Sequence, residues 1–170
     1  LGDFLLTLPL LRALRRRWPS ARLELVGNAT APALAVEAGL LQAAHSQHEA
    51  RWVGLYQSAL PPALGDWLSS FDLVLSAWPD PESRFSRIFP LRAGQTFVPI
   101  APIVEGAGPA WRQLLVAAQA AFGGDFGMGD EIPRLPVPPS AREEGRKRLG
   151  FDLSPGGTGP IALHPGSGSR

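Results

Sequence analysis

Apolar side chains at the start of the chain recur at the spacing of one face of a helix. They are Phe4, Leu5, Leu8, Leu11 and Leu14. This pattern predicts an amphipathic helix of about four turns. The helix is expected to end at Trp18, because the following Pro19 disfavours a helical conformation in the residue before it. Pro9 falls inside the segment, so the helix either kinks there or starts late with Thr7 as its cap.

Further along the chain, short β-compatible runs alternate with helical segments. Predicted strands cover 22–26, 43–47, 72–77, 95–98 and 161–164, and predicted helices cover 31–41, 82–89, 109–122 and 140–149, with two short helices between 52 and 70. The last helix is expected to be capped by Ser140, with Glu143 completing a capping box. The alternation predicts an α/β fold with a Rossmann-like, mostly parallel sheet and helices on both faces. The continuous run at 72–77 is typical of a central parallel strand.

A segment rich in glycine and proline, without periodicity, separates the two halves of this pattern. It predicts three regions: a domain over 1–124, an inter-domain linker over 125–159 that contains the 140–149 helix, and the first strand and loop of a second domain over 160–170. The chain begins directly in a helix and ends directly after a strand and loop. We therefore expect it to be truncated at both ends relative to a larger protein.

Composition narrows the function classes. The 170 residues are 45% hydrophobic and 18% charged, which describes an ordinary globular core, and the net charge of +1 argues against a general nucleic-acid binder. The chain has no cysteine, which excludes disulfides and thiol chemistry. This composition suits a protein of the reducing cytoplasm. His45 and His48 are three residues apart without a second pair, which favours surface histidines over a metal site.

Four arginines are concentrated near the end of the first predicted helix. They are Arg12, Arg15, Arg16 and Arg17. One interpretation is a solvated helix end whose cations complement the negative end of the helix dipole. The other is a surface that attracts an anionic partner, and the sequence leaves both open.

Two segments contain the candidate catalytic and phosphate-binding residues. Gly2-Asp3 precedes the first helix, and Pro165 to Ser169 form a glycine and serine loop directly after a predicted strand. Such a loop is a common way to hold a phosphate or diphosphate with backbone N–H groups and hydroxyls. Asp3 has two interpretations, a helix N-cap or a general base held rigidly at the edge of a cleft. Open parallel sheets place ligands beyond the carboxyl ends of their strands, and both segments are expected there.

Three runs of the sequence resemble the heptosyltransferases of glycosyltransferase family 9. The first, residues 2–27, reads GDFLLTLPLLRALRRRWPSARLELVG, the second is Phe71 to Leu75, and the third, residues 161–169, reads IALHPGSGS. The first looks like the family's N-terminal motif, the second like its mid-domain strand, and the third like the first strand and loop of its second domain. Residues 78–131 match in pattern only, and the Lys and Trp that follow the loop in the family would lie beyond Arg170.

The resemblance implies a function and a set of site residues. It implies an inverting, metal-independent transferase of two-domain GT-B architecture, without a cofactor, that moves heptose from a nucleotide-diphosphate sugar, usually ADP-heptose, to an anionic lipopolysaccharide core acceptor. Asp3 falls on the family's proposed catalytic base, Gly2 lies beside it on the acceptor side, and the donor diphosphate loop falls on Gly166, Ser167, Gly168 and Ser169. The implied location is the cytoplasm, with peripheral contact at the inner membrane surface, and no nucleic acid is involved.

Two other interpretations remain. The protein could be a sugar- or nucleotide-binding α/β module without catalysis, in which Asp3 is only a cap and the glycine loop holds a ligand phosphate. Alternatively, these 170 residues by themselves bind little and are inactive, because in a GT-B enzyme most donor contacts would come from residues after Arg170.

Overall fold

The computed structural model describes residues 2–28, 30–100, 108–123 and 137–150, and of residues 2, 3, 30 and 31 it describes the backbone alone. Two compact units are distinguished, residues 1–135 and 136–170. Most of the predicted linker and the whole predicted second-domain segment lie outside the described residues. The three predicted regions therefore stay a prediction.

The first unit alternates helices and strands. Its elements in chain order are α1 (Gly2–Arg17), β1 (Glu24–Gly27), α2 (Thr30–Glu37), β2 (Ala43–Ser46), a 3-10 helix (Ala50–Tyr56), α3 (Pro62–Ser69), β3 (Leu73–Ser76), α4 (Arg84–Ile88), β4 (Thr96–Pro99) and α5 (Ala110–Phe122). The described part of the second unit holds α6 (Pro139–Leu149). Every element that the pattern predicted within the described residues is present, with boundaries shifted by a few residues.

α1 continues through its internal proline. Thr7 lies within the helix, where its hydroxyl donates to the carbonyl of Phe4 at 2.7 Å, so Thr7 is not the cap of a late start. Pro9 lacks the N–H of an interior helical residue, which weakens that turn. Its ring is fully buried, and this apolar burial offsets part of the cost.

The predicted capping box of α6 is wrong. The helix begins at Pro139, one residue before the predicted cap, and Pro138 precedes it without a side-chain cap. Proline suits this position because its fixed φ matches the helix and its missing N–H would have no partner there. Glu143 instead approaches Arg146 at 3.6 Å, one turn further along. Exposed pairs of this kind contribute little to stability.

The strands pair in parallel. β1 pairs with β2 in the register Glu24 to Ala43, and β3 pairs with β4 in the register Leu73 to Thr96. Within the described ranges these are two separate two-stranded sheets. The chain is thus a mixed α/β structure, and the single Rossmann-like sheet stays a prediction.

Neighbouring residues of one strand pack on opposite sides. Leu73 and Leu75 pack against a cluster built from α1 and α5, whereas Val74 packs against a cluster built from the 3-10 helix, α3 and α4. In β1, Leu25 packs against a third cluster, formed by α1 and α2, and Val26 joins Val74. Since side chains alternate along a strand, helices cover both faces of these strands.

Candidate functional site

One arginine fixes the direction of α1 relative to the strands. Arg15, in its last turn, donates to the carbonyls of Ala21 at 2.6 Å and Leu40 at 3.1 Å, and to Oε1 of Gln42 at 2.9 Å. These acceptors lie just before β1 and β2, so α1 ends at the amino ends of the strands. Its first turn, about 20 Å away along the helix, therefore points towards their carboxyl ends.

Helix α5 runs in the same direction as α1. The rings of Trp18 and Phe122, which follow or close the two helices, meet edge to face at 6.0 Å. Leu10 and Leu14 of α1 pack in one cluster with Leu115 of α5. Because their carboxyl ends are paired, the amino ends of both helices, which carry the positive ends of the helix dipoles, lie on the side of the strands' carboxyl ends.

The predicted catalytic pair begins α1. Gly2 and Asp3 form the start of the helix, and its direction places their backbone at the edge where open α/β sheets bind ligands. The side chain of Asp3 lies outside what the structure describes. The predicted diphosphate loop, residues 166–169, lies outside the described residues, so its proximity to Asp3 stays a prediction.

The arginine cluster lies at the opposite end of α1. Arg15 is half-buried, and its guanidinium donates to backbone carbonyls around the amino ends of the strands, whereas Arg16 and Arg17 are exposed, so both interpretations of the cluster stay open. Arg17 is exposed and lies over the ring of Trp18, 5.7 Å from its centroid. A group bound at Asp3 would be about 14 Å along the helix from Arg12 and about 21 Å from Arg17.

The turn after β2 carries a network that fixes the 3-10 helix. The N–H of Ser46 donates to Oε1 of Glu49 at 2.8 Å, and the indole N–H of Trp52 donates to the carbonyl of Ser46 at 2.6 Å. The guanidinium of Arg51 lies 4.2 Å from the centre of the Trp52 ring and 4.9 Å from that of Trp67. The bond from Trp52 to Ser46 therefore holds this helix to the end of β2, and the contact of Arg51 with Trp67 joins it to α3.

The loop after β3 is fixed by a carboxylate. Asp80 accepts hydrogen bonds from the N–H and the hydroxyl of Ser86, both at 3.1 Å. Its carbonyl also accepts from the N–H of Ser83 at 3.0 Å. Burial acts to raise the pKa of Asp80, but hydrogen bonds from Ser86 and from the backbone N–H groups at the start of α4 outweigh it, so this pKa is lowered.

This loop exposes an aromatic surface. Trp78 is 39% exposed and Tyr56, at the end of the 3-10 helix, is 49% exposed. Both contact the buried ring of Phe85, with centroid distances of 6.2 Å from Trp78 and 5.7 Å from Tyr56. We call Trp78, Phe85 and Tyr56 the aromatic platform. It lies beside the carboxyl end of β3, because the N–H of Trp78 donates to Oγ of Ser76 at 3.3 Å.

A part-buried polar pair, Glu24 and His45, lies against the aromatic side chains of the 3-10 helix and α3. Nε2 of His45 is 2.7 Å from Oε2 of Glu24, whose side chain is only 4% exposed and also pairs with Arg22. The ring of His45 meets that of Trp67 edge to face at 5.2 Å. Burial raises the pKa of Glu24, but the bonds to His45 and Arg22 prevail and lower it. His45 is thus half-buried against these rings, while His48 is exposed.

Nothing in the described part of the chain gathers metal ligands or spans a membrane. Over these residues no three His, Asp or Glu side chains come close enough together to hold a metal ion. None of the helices there has the length and the apolar character that crossing a bilayer requires.

Comparisons with protein-family models, with curated proteins and with solved structures find no match. The sequence predicts a site at the edge of the strands but does not predict the aromatic platform, because its three residues come from separate elements. Two signals could have located it: Trp78 comes directly after the predicted 72–77 strand, and Asp80 lies two residues before the predicted 82–89 helix.

Proposed function

We propose that the protein is an inverting glycosyltransferase of the family 9 type, which transfers heptose from ADP-heptose to a lipopolysaccharide core acceptor. The observation that carries the proposal is the Gly2-Asp3 pair at the start of an amphipathic helix with an internal proline, followed by a strand that ends in Gly27. The direction of α1 supports it, because a carboxylate in the first turn would face the ligand side of the strands.

In this proposal Asp3 is the catalytic base. The acceptor hydroxyl oxygen attacks the anomeric carbon, its proton passes to the Asp3 carboxylate, and the bond from that carbon to the diphosphate breaks on the opposite face of the sugar. Backbone N–H groups and hydroxyls of the Gly166 to Ser169 loop would stabilise the negative charge that grows on the leaving diphosphate. The reaction inverts the anomeric centre and uses no metal ion.

The proposal includes a finer architecture. The described first unit would belong to the acceptor-side half of a GT-B enzyme with a Rossmann-like, mostly parallel sheet, and the donor-side half would begin at the 161–164 strand. Gly2 would lie on the acceptor side of the cleft. The reaction would take place in the cytoplasm, with the acceptor held at the inner membrane surface.

A single conservative replacement tests the base. In the full-length protein, Asp3→Asn should lower the rate of heptose transfer from ADP-heptose to a deacylated core oligosaccharide by roughly 10²–10⁴-fold, with little change in thermal stability. Asp66→Asn is the matched control, since Asp66 is exposed on α3. Product is measured by mass spectrometry.

Three outcomes are distinguishable. Full activity in Asp3→Asn refutes the base assignment. Binding of ADP-heptose by the unmodified protein without any product supports the non-catalytic sugar- or nucleotide-binding module instead. Loss of activity in Asp66→Asn to the same extent shows that removing a carboxylate acts through folding rather than through chemistry.

A further inference from the structure

Two exposed aromatic rings, Trp78 just after the carboxyl end of β3 and Tyr56 at the end of the 3-10 helix, both contact the ring of Phe85. Trp78 and Tyr56 each leave more than a third of their surface in water, while Phe85 between them is only 5% exposed. The interplanar angles are 59° for Trp78 with Phe85 and 70° for Tyr56 with Phe85. Such edge or tilted contacts are favourable and leave the outer ring faces available to another molecule.

The platform is held in position before any ligand arrives. Asp80 ties the loop that carries Trp78 to the first turn of α4, and proline at 79 and 81 restricts the backbone on both sides of it. On the other side, Nη1 of Arg84 donates to the carbonyl of Tyr56 at 3.5 Å, which joins α4 to the end of the 3-10 helix. Less side-chain and loop entropy is therefore lost when a ligand binds.

Charged groups border the rings and indicate the chemistry of the ligand. Nε of Arg84 pairs with Oε2 of Glu82 at 2.8 Å, with the two side chains 49% and 68% exposed, and Arg87 is exposed one turn further along α4. An apolar partner that covered the rings would remove water from this ion pair without replacing its hydrogen bonds, which is costly. A sugar satisfies both requirements, since its C–H face stacks on an aromatic ring and its hydroxyls bond to the charged groups.

We propose that the aromatic platform binds a saccharide ring of the acceptor, with Trp78 and Tyr56 as stacking surfaces and Arg84 and Glu82 as polar contacts at its edge. This rests on the proposed function and specifies its acceptor subsite. The platform is a binding element and takes no part in the proton transfer.

The test measures saccharide binding directly. The full-length protein is titrated in a calorimeter with a deacylated lipopolysaccharide core oligosaccharide. Trp78→Ala should weaken binding by roughly tenfold or more, which is ~1.4 kcal/mol. Trp78→Phe should retain most of the affinity because it keeps a ring, and it reports on folding if the alanine variant is unstable. Trp18→Ala is the control, because it removes a tryptophan of similar exposure that lies just after α1, outside the platform. This variant should bind the oligosaccharide as tightly as the unmodified protein does.

The results separate this proposal from the proposed function. The platform is overturned if the unmodified protein does not bind the oligosaccharide, if Trp78→Ala binds as tightly as Trp18→Ala, or if Trp78→Ala loses binding to anionic phospholipid vesicles but not to the oligosaccharide. Heptose transfer with an acceptor KM unaffected by Trp78→Ala also overturns it and leaves the transferase in place. Trp78-dependent binding without any transfer supports the platform and refutes the transferase.

Discussion

Replacing Gln95 by glutamate should destabilise the protein in a way that depends on pH. Gln95 is 6% exposed, and its side-chain amide connects three segments. Nε2 donates to the carbonyls of Leu68 at 2.8 Å and Phe71 at 2.9 Å, and Oε1 accepts from the N–H of Leu91 at 2.7 Å. Glutamate keeps the shape and the acceptor but replaces both donor hydrogens by an oxygen that faces two carbonyl oxygens.

The expected cost follows from these three bonds. A buried polar group left without a partner costs about 1–3 kcal/mol. The hydrogen bond to Leu68 is fully buried and the one to Phe71 is partly buried. Losing both should lower the free energy of unfolding by about 3 kcal/mol near neutral pH. Burial and the facing carbonyls raise the pKa of the new carboxyl in the folded state. The unfolded state therefore binds fewer protons than the folded state. As a result, the loss of stability relative to the unmodified protein grows as pH rises above about 4.3.

Urea unfolding at several pH values checks this prediction. The difference in free energy of unfolding between Gln95→Glu and the unmodified protein should shrink towards acid pH, because the protonated carboxyl regains one donor. Gln57→Glu is the control, since Gln57 is exposed and surface changes usually stay within about 0.5 kcal/mol. A Gln95→Glu variant as stable as Gln57→Glu near neutral pH would refute the reasoning.

Two further predictions concern the packing of the first unit. Gly54→Ala places a Cβ 2.7 Å from Cδ of the rigid Pro61 ring and should cost about 1–3 kcal/mol. Gly65→Ala, within α3 and with open space around its Cβ, should instead stabilise by up to about 1 kcal/mol, and equal effects in the two variants would refute the steric argument. Because the folded pKa of Glu24 lies below its ordinary 4.5, its stabilising effect is full above that pH and is lost as pH falls through the folded value. Glu24→Gln should therefore lower the free energy of unfolding by about 1.5–3 kcal/mol at neutral pH. The difference from the unmodified protein, measured by urea unfolding, should become smaller at acid pH. A difference that stays constant with pH would contradict this prediction.

Periodicity predicted the local elements well because each depends on neighbouring residues. The β-compatible run at 72–77 and the helix that Gly123 ends are examples, since the strand pattern and the positive φ of that glycine are both local properties. The boundary error at α6 has a local cause as well. Ser140 is a typical N-cap residue, but proline is favourable at the first helical position, and the helix begins at Pro139.

Contacts between distant segments could not be predicted in the same way. The Glu24–His45 pair joins neighbouring parallel strands, and it depends on a register that neither strand encodes alone. The aromatic platform likewise needs Tyr56 and Trp78, which are far apart in sequence, to meet at Phe85. For the candidate site, the sequence predicted the edge at which α1 begins, whereas the grouping of side chains there depends on tertiary packing.

In the loop after β3, the residues that fix the backbone are different from the residue that is exposed to solvent. The path of this loop is fixed by Asp80 and Ser86, neither of which uses the indole of Trp78. A point substitution at position 78 therefore changes the shape and polarity offered to solvent while the backbone course is kept. The character of this exposed surface is therefore set by one side chain, independently of the bonds that shape the loop beneath it.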